Sequence, residues 1–139
     1  MKKLIVYVFI VACFLSMAAC GYQERTGEDI QERIVDRTFI YENEGFGGNF
    51  AIRINNDGTF TYYEGLLSSY IGIGTWELEE NILTISDDEE FGYPFVNRFK
   101  VEDNDLIFLS ENSSNFIYVK VVDGEHFTST SDETYTSIL

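Results

Sequence analysis

Short runs in which apolar and polar residues alternate fill most of the chain between residues 34 and 127. Residues 50–54 (Phe-Ala-Ile-Arg-Ile) are followed by Asn-Asn-Asp-Gly at 55–58, and Phe60 and Tyr62 then alternate with threonines. A period of two puts successive side chains on opposite faces of a strand. Two such runs around a Gly-containing turn predict a β-hairpin. Repetition of the pattern favours antiparallel sheet over helix.

Eight runs of this kind follow one another, near residues 35–41, 50–54, 59–62, 75–78, 82–85, 95–101, 106–109 and 115–122. Short sequential hairpins favour an antiparallel meander, and closure of the sheet removes the edges that would promote aggregation. We therefore predict an all-β domain, an antiparallel meander of about eight strands that is closed or half closed into a barrel. Gly72 and Gly74, just before Trp76, predict a bend of the strand at a barrel corner.

The first residues combine a basic head, Lys2 and Lys3, with an apolar run from residue 4 to 15. This run is shorter than the roughly 20 residues that a membrane-spanning helix needs, so it predicts a secretory signal. Residues 17–20 (Met-Ala-Ala-Cys) resemble the lipoprotein box of bacterial envelope lipoproteins. The resemblance implies a signal peptide over 1–19, a lipid on Cys20, and anchoring to the outer face of a membrane in the cell envelope. Ordinary signal cleavage nearby, with Cys20 a free thiol, is the alternative.

The remaining chain divides by composition into three parts. Residues 20–33 are polar, with Ile30 as the one aliphatic residue, and predict a flexible tether that could hold a short helix over 28–33. Residues 34–127 form the β domain. Residues 128–139 are rich in Ser and Thr and predict a polar C-terminal tail.

Two motifs in the β domain resemble those of a known group of proteins. Asp-Gly-Thr-Phe in the run 57–65, and Gly-Thr-Trp within residues 68–86, are similar to motifs of the small lipocalin-like domains of bacterial envelope lipoproteins. The resemblance implies a barrel that binds a small ligand or an envelope protein without catalysing a reaction.

Charge and residue types exclude several functions. The chain has 24 Asp and Glu against 9 Lys and Arg, a formal charge of -15, which argues against nucleic acid as a partner. His126 is the only histidine, and Cys20 would be the only cysteine of the mature chain. The acidic run at 87–90 has the composition of a solvated turn, without the Gly and Asn spacing of a calcium loop. The sequence therefore predicts no catalytic residues, no metal site and no cofactor.

Adjacent tyrosines suggest where contacts are made. Tyr62 and Tyr63 must point to opposite faces of a strand, so Tyr63 faces outward if Tyr62 joins the core. An outward Tyr63, followed by Ser68, Ser69 and Tyr70, predicts a ligand or partner surface. Trp76 is a further candidate contact, for which core packing is the alternative.

Two segments, 64–71 and 111–117, each combine Glu, Ser-Ser and an aromatic residue followed by Ile, and would frame one site if both loops lie at the same end of the barrel.

The function predicted first is a lipid-anchored binding protein for a small ligand or an envelope protein. The alternative is an acidic inhibitor or decoy of a basic protein such as a cell-wall hydrolase.

Overall fold

The strands of this protein close into a barrel. The computed structural model describes residues 27–44, 48–65, 71–87, 95–117, 119–131, 133 and 135. Each strand pairs antiparallel with the next, and the last pairs with the first. The predicted all-β meander of eight strands is confirmed, in its closed form. The elements are α1 (Gly27–Ile34), β1 (Arg37–Tyr41), β2 (Phe50–Ile54), β3 (Thr59–Glu64), β4 (Ile71–Glu79), β5 (Ile82–Ser86), β6 (Val96–Glu102), β7 (Asp105–Leu109) and β8 (His126–Thr130).

Alternate connections lie at the same end of the barrel because all neighbouring strands are antiparallel. One end carries α1 and the short turns after β2, β4 and β6, and we call it the helix-side end. The other carries the connections after β1, β3, β5 and β7, and we call it the loop-side end. At the helix-side end, Arg33 at the end of α1 donates a hydrogen bond to the backbone oxygen of Asp103 in the β6–β7 turn.

Helix α1 covers the helix-side end with one apolar face. Ile30 and Ile34 are buried in the core. Glu28 and Asp29 lie in the first turn, where their negative charge interacts favourably with the helix dipole and stabilises the helix. Residues that the composition assigns to a tether thus complete the core of the barrel. Among the described residues, no helix is long and apolar enough to cross a membrane.

Aromatic rings fill the barrel interior. Five phenylalanines with no exposed surface form its centre: Phe39, Phe50, Phe60, Phe99 and Phe127. The ring of Phe127 lies 5.5 Å from that of Phe50 and 5.2 Å from that of Phe99, both edge-on. An eight-stranded barrel has an interior just wide enough for side chains to fill it, and here the rings do so.

Gly72 and Gly74 on β4 make room for these rings. A Cβ atom at Gly72 would overlap the ring of Tyr62, and one at Gly74 would crowd Phe60 and the backbone of Ser86. Both glycines pair with β3 residues that carry inward rings. Their role in this barrel is to leave space for the β3 aromatics.

The turn between β2 and β3 confirms the predicted hairpin. The Asp57 carboxylate accepts hydrogen bonds from the hydroxyl and the amide of Thr59, at 2.6 and 3.0 Å, and Gly58 adopts a φ of 84°. The bond from the hydroxyl, and then that from the amide, lowers the pKa of Asp57. The ionised carboxylate therefore favours the folded turn above its unfolded pKa, and this contribution is lost as the pH falls through the lowered folded pKa.

The last strand lies later in the chain than the alternation predicts. The prediction of a strand at 115–122 is wrong: β8 is His126–Thr130, and it pairs with both β7 and β1. Phe127 supplies the fully buried ring of this strand. The described apolar residues of this segment instead belong to the β7–β8 connection, and Phe116 packs against the core from the loop-side end.

Candidate functional site

Polar side chains are buried at the loop-side mouth of the barrel. Glu64 ends β3, Asp87 follows β5 and Asn97 lies in β6, and their exposures are 3%, 9% and 1%. Each continues the inward alternation of its strand, since Tyr62, Ile85 and Phe99 precede or follow at a spacing of two. Buried polar groups are held by hydrogen bonds, so this layer can fix the connections above it.

Glu64 joins two connections at the mouth. Its Oε2 accepts a hydrogen bond from the backbone amide of Ile117 at 3.0 Å. A carboxylate that accepts an amide proton makes one of the stronger hydrogen bonds in proteins. The segments 64–71 and 111–117, which the sequence paired, therefore lie at the same end and touch at these two residues. Residues 66–70 are outside the described residues.

Ser113 and Ser114 fasten the start of the β7–β8 connection to β6. The two hydroxyls accept hydrogen bonds from the amides of Arg98 and Val96, at 2.9 and 3.0 Å. The backbone oxygen of Ser114 accepts a further bond from the Asn97 side chain at 3.0 Å. The hydroxyls of these serines thus bind backbone amides and fix the connection to β6, which is the usual role of serine in turns.

Phe116 covers the core at the loop-side mouth of the barrel. Its ring centroid lies 4.7 Å from that of Phe50, 5.4 Å from that of Phe108 and 6.4 Å from that of Phe127. The connection therefore packs on the core and is not a free loop at this point.

A shallow groove runs beside this connection, and we call it the connection groove. Its volume is about 300 Å³, and it is lined by Phe108, by residues 114–117 and by residues 119–121. Ile117 beside it is 62% exposed. The groove is at the lower limit of size for small-molecule sites, and its open, partly apolar lining suits a flat or extended ligand.

Tyr63 lies on the outer face, as predicted, while Tyr62 is buried. On β4 the neighbouring outward residues are Ile71, opposite Tyr63, and Ile73, which is 57% exposed. We call Tyr63, Ile71 and Ile73 the β3–β4 patch. The predicted companions Ser68, Ser69 and Tyr70, and the proposed lipid site Cys20, are outside the described residues.

The two isoleucines escaped the sequence analysis because β4 reverses the usual order, with glycines inside and isoleucines outside. The sequence nevertheless indicates this orientation through the spacing of the residues in β4. Gly72 and Gly74 share their parity with Trp76 and Leu78, whose large side chains identify the inward face.

Trp76 does not belong to the β3–β4 patch, because its side chain points to the opposite face of β4. It faces inward near the helix-side end, is half-buried, and packs against the core. Its indole Nε1 donates a hydrogen bond to the backbone oxygen of Asn55 at 2.9 Å, and its amide donates to Gly58. Trp76 thus fastens the β2–β3 turn, and the structure does not bring it together with Tyr63.

Trp76→Phe should lower the free energy of unfolding by about 1 kcal/mol, because the ring is kept and the indole hydrogen bond is lost. Trp76→Ala should cost about 3 kcal/mol, since the packing against the core is lost as well. Urea denaturation followed by far-ultraviolet circular dichroism measures both. An unchanged midpoint for Trp76→Phe would show that the bond to Asn55 does not stabilise the turn.

No protein-family model, curated protein or solved structure matches this chain. The chemistry of the site is therefore inferred from its own residues. Within the described ranges, no three His, Cys, Asp or Glu side chains come together to hold a metal ion.

The histidine lies on the outer face of the barrel. His126 Nδ1 is 3.6 Å from Asp105 Oδ2 on the outer surface of β7 and β8, where the histidine side chain is exposed and the aspartate side chain is partly exposed. What the loop-side end offers is aromatic and aliphatic surface, backbone groups and buried polar anchors. These are the components of a binding surface.

Proposed function

We propose that this protein is a non-catalytic, lipid-anchored binding protein of the cell envelope, and that it binds another envelope protein through the loop-side half of its barrel. The observation that carries the proposal is the filled interior. Five fully buried phenylalanines occupy the space that a ligand cup would need, which leaves the mouth and the outer face for contact. A small ligand would have the connection groove as its site.

The outer surface supports a protein partner. The β3–β4 patch places a tyrosine beside two exposed isoleucines, on a face where alternation usually puts polar residues. Ile117, which is also exposed, lies at the same loop-side end, where its amide binds the Glu64 carboxylate. Clustered aromatic and aliphatic side chains of this kind are typical of protein contact sites.

The position of the proposed anchor fits this orientation. Cys20 precedes Gly27, the first residue of α1, by seven positions, and seven residues reach at most about 25 Å when fully extended. A lipid on Cys20 would keep the helix-side end near the membrane. The loop-side end would then be accessible to other proteins of the envelope.

An acidic inhibitor or decoy is the second candidate, and the net charge of -15 supports it. Glu28, Asp29 and Glu32 add exposed negative charge on α1, at the end opposite the β3–β4 patch. Such a protein would capture a basic partner mainly through long-range attraction, which salt screens. Capture that disappears between low and physiological salt would favour this candidate.

Replacing both Tyr63 and Ile73 with Ala should reduce recovery of the bound envelope protein about tenfold or more, because contact residues of this type carry much of the binding energy. The melting temperature should change by only a few degrees, since both side chains lie on the outer face. The measurement is cross-linking of the full-length protein in its own membranes, followed by affinity capture.

Thr128→Ala, on the outer face of β8, is the matched control and should leave recovery unchanged. Equal recovery with the double variant would exclude the β3–β4 patch as the contact surface.

In the same cells, radiolabelled palmitate should mark the wild type and not Cys20→Ala. An unlabelled wild type would contradict the anchor.

A further inference from the structure

The outer face of β1 and β2 is buried, although it does not face the barrel interior. Phe39 points inward, so Ile40, which follows it on β1, points outward. Ala51 on β2 is paired with Ile40 and points outward as well. Ile40 is 9% exposed and Ala51 0%, yet neither belongs to the interior cluster of apolar side chains that the described residues form. Another part of the chain therefore covers them.

The neighbouring strands do not provide this cover. Ile40 is paired with Ala51 on one side and with Thr128 on the other. Both partners are small and Thr128 is itself exposed, so an isoleucine between them would meet solvent on an uncovered sheet. On β3 the hydroxyl of Thr61, which also faces outward, is buried and has no hydrogen-bond partner in the described part of the chain. The covered face thus extends from β1 across β2 to β3.

Residues 131–139, which we call the C-terminal segment, follow a path that leads across this face. β8 ends at Thr130, close to the pairing of Thr130 with Thr38 in the helix-side half of β1. Tyr135 is already at the loop-side end, where Asn49 Nδ2 donates a hydrogen bond to its hydroxyl at 2.7 Å. Asn49 directly precedes β2, and β1 lies between β8 and β2, so the chain must cross β1 to reach it. Because the interior is filled, it crosses on the outer face.

The sequence of the C-terminal segment is that of a short amphipathic helix. Residues 133 and 135 are helical. Tyr135, Ile138 and Leu139 have the spacing i, i+3, i+4, which places three apolar side chains on one face of a helix. Residues 136–139 are outside the described residues. The spacing fits a helix that packs its apolar face on the sheet.

We propose that the C-terminal segment docks as a helix on the outer face of β1 and β2 and limits access to the β3–β4 patch. This inference rests on the proposed function and adds a means of regulating its contact surface. Tyr63 is paired with Ala51, at the border of the covered face, and is half-buried, whereas the isoleucines of the patch are exposed. A helix of about nine residues is not stable alone, so the segment is held only by this contact. A partner that binds Tyr63 can therefore displace it.

The test measures how fast single cysteines react with a thiol reagent. Cys13 and Cys20 are the only cysteines of the full chain, and both are replaced by serine. In this background Ile40→Cys should react slowly, and removal of residues 131–139 should accelerate the reaction at least about tenfold, because the thiol no longer depends on local opening. Tyr63→Cys, at the border, should be accelerated about threefold.

Thr128→Cys is the matched control, because Thr128 is exposed on the same side of the sheet and its rate should not change. Ile138→Glu combined with Leu139→Glu releases the segment without shortening the chain, since burial of these charges is unfavourable. This double variant should give the same accelerations, and it decides the test if the shortened chain does not fold. Circular dichroism shows whether each variant is folded.

Three results would overturn the inference: Ile40→Cys reacts as fast as Thr128→Cys in the complete chain, release of the segment does not accelerate it, or release leaves the rate of Tyr63→Cys unchanged. None of these measurements involves a partner. The proposed function therefore fails or survives separately, by the capture experiment with Tyr63 and Ile73.

Discussion

Gly72→Ala should lower the free energy of unfolding by about 3 kcal/mol or more, a large fraction of the stability of a small domain. The added methyl group would occupy the position of the Tyr62 ring, which is buried among aromatic neighbours. The ring centroids of Phe95, Phe50 and Phe60 lie 5.1, 5.7 and 6.1 Å from that of Tyr62, so it has little room to move. Thermal and urea denaturation of residues 21–139 measure the loss.

Gly27→Ala is the matched control, because a Cβ at Gly27 meets nothing within 4 Å. It lies at the start of α1 and should be neutral or slightly stabilising. Combining Gly72→Ala with Tyr62→Leu should cost less than the sum of the two single changes, since the smaller side chain makes room. A Gly72→Ala protein as stable as the wild type would mean that the ring does not lie against Gly72.

Phe127→Ala should cost about 3 to 5 kcal/mol, the usual range for removing a fully buried phenylalanine. Its ring is in contact with four others, Tyr41, Phe50, Phe99 and Phe116, and has no exposed surface. The cavity would lie where β8 closes the sheet. Denaturant unfolding at pH 7 gives the value directly.

Ile117→Ala is the control for this second change. Ile117 belongs to the segment that alternation alone would make the last strand, but it is 62% exposed. We expect a loss of less than about 0.5 kcal/mol, as for most surface positions. A large loss at Ile117 with a small one at Phe127 would mean that residues 115–122, and not His126–Thr130, close the barrel.

Seven strands could be predicted from the sequence because their signals are local. The β2–β3 hairpin, for example, needs only the alternation at 50–54, the turn at Asp57 and Gly58, and the alternation after it. The choice of the last strand is not local. Residues 116–122 have the higher β-propensity, but β8 is selected by pairing with β1, almost the whole domain away in sequence.

The candidate site also has features that follow from the local sequence and features that do not. The outward direction of Tyr63 follows from its adjacency to Tyr62 and needs no tertiary information. The burial of Glu64 does not follow, because a charged residue is normally buried only with a partner, and its partner Ile117 is 53 positions away. The exposure of Ile71 and Ile73 is indicated by the parity of Trp76 and Leu78, but the reason that glycines lie inside, the space taken by the Tyr62 and Phe60 rings, is tertiary.

The pairing of β1 with β8 also has a consequence for the order of folding. Thr38 and Thr130 are partners, so the final seam joins the two ends of the domain, and no part of the meander can replace it. Loop closure of this length is entropically costly and slows folding of sheets with distant contacts. Until β8 arrives, β1 and β7 each expose an edge.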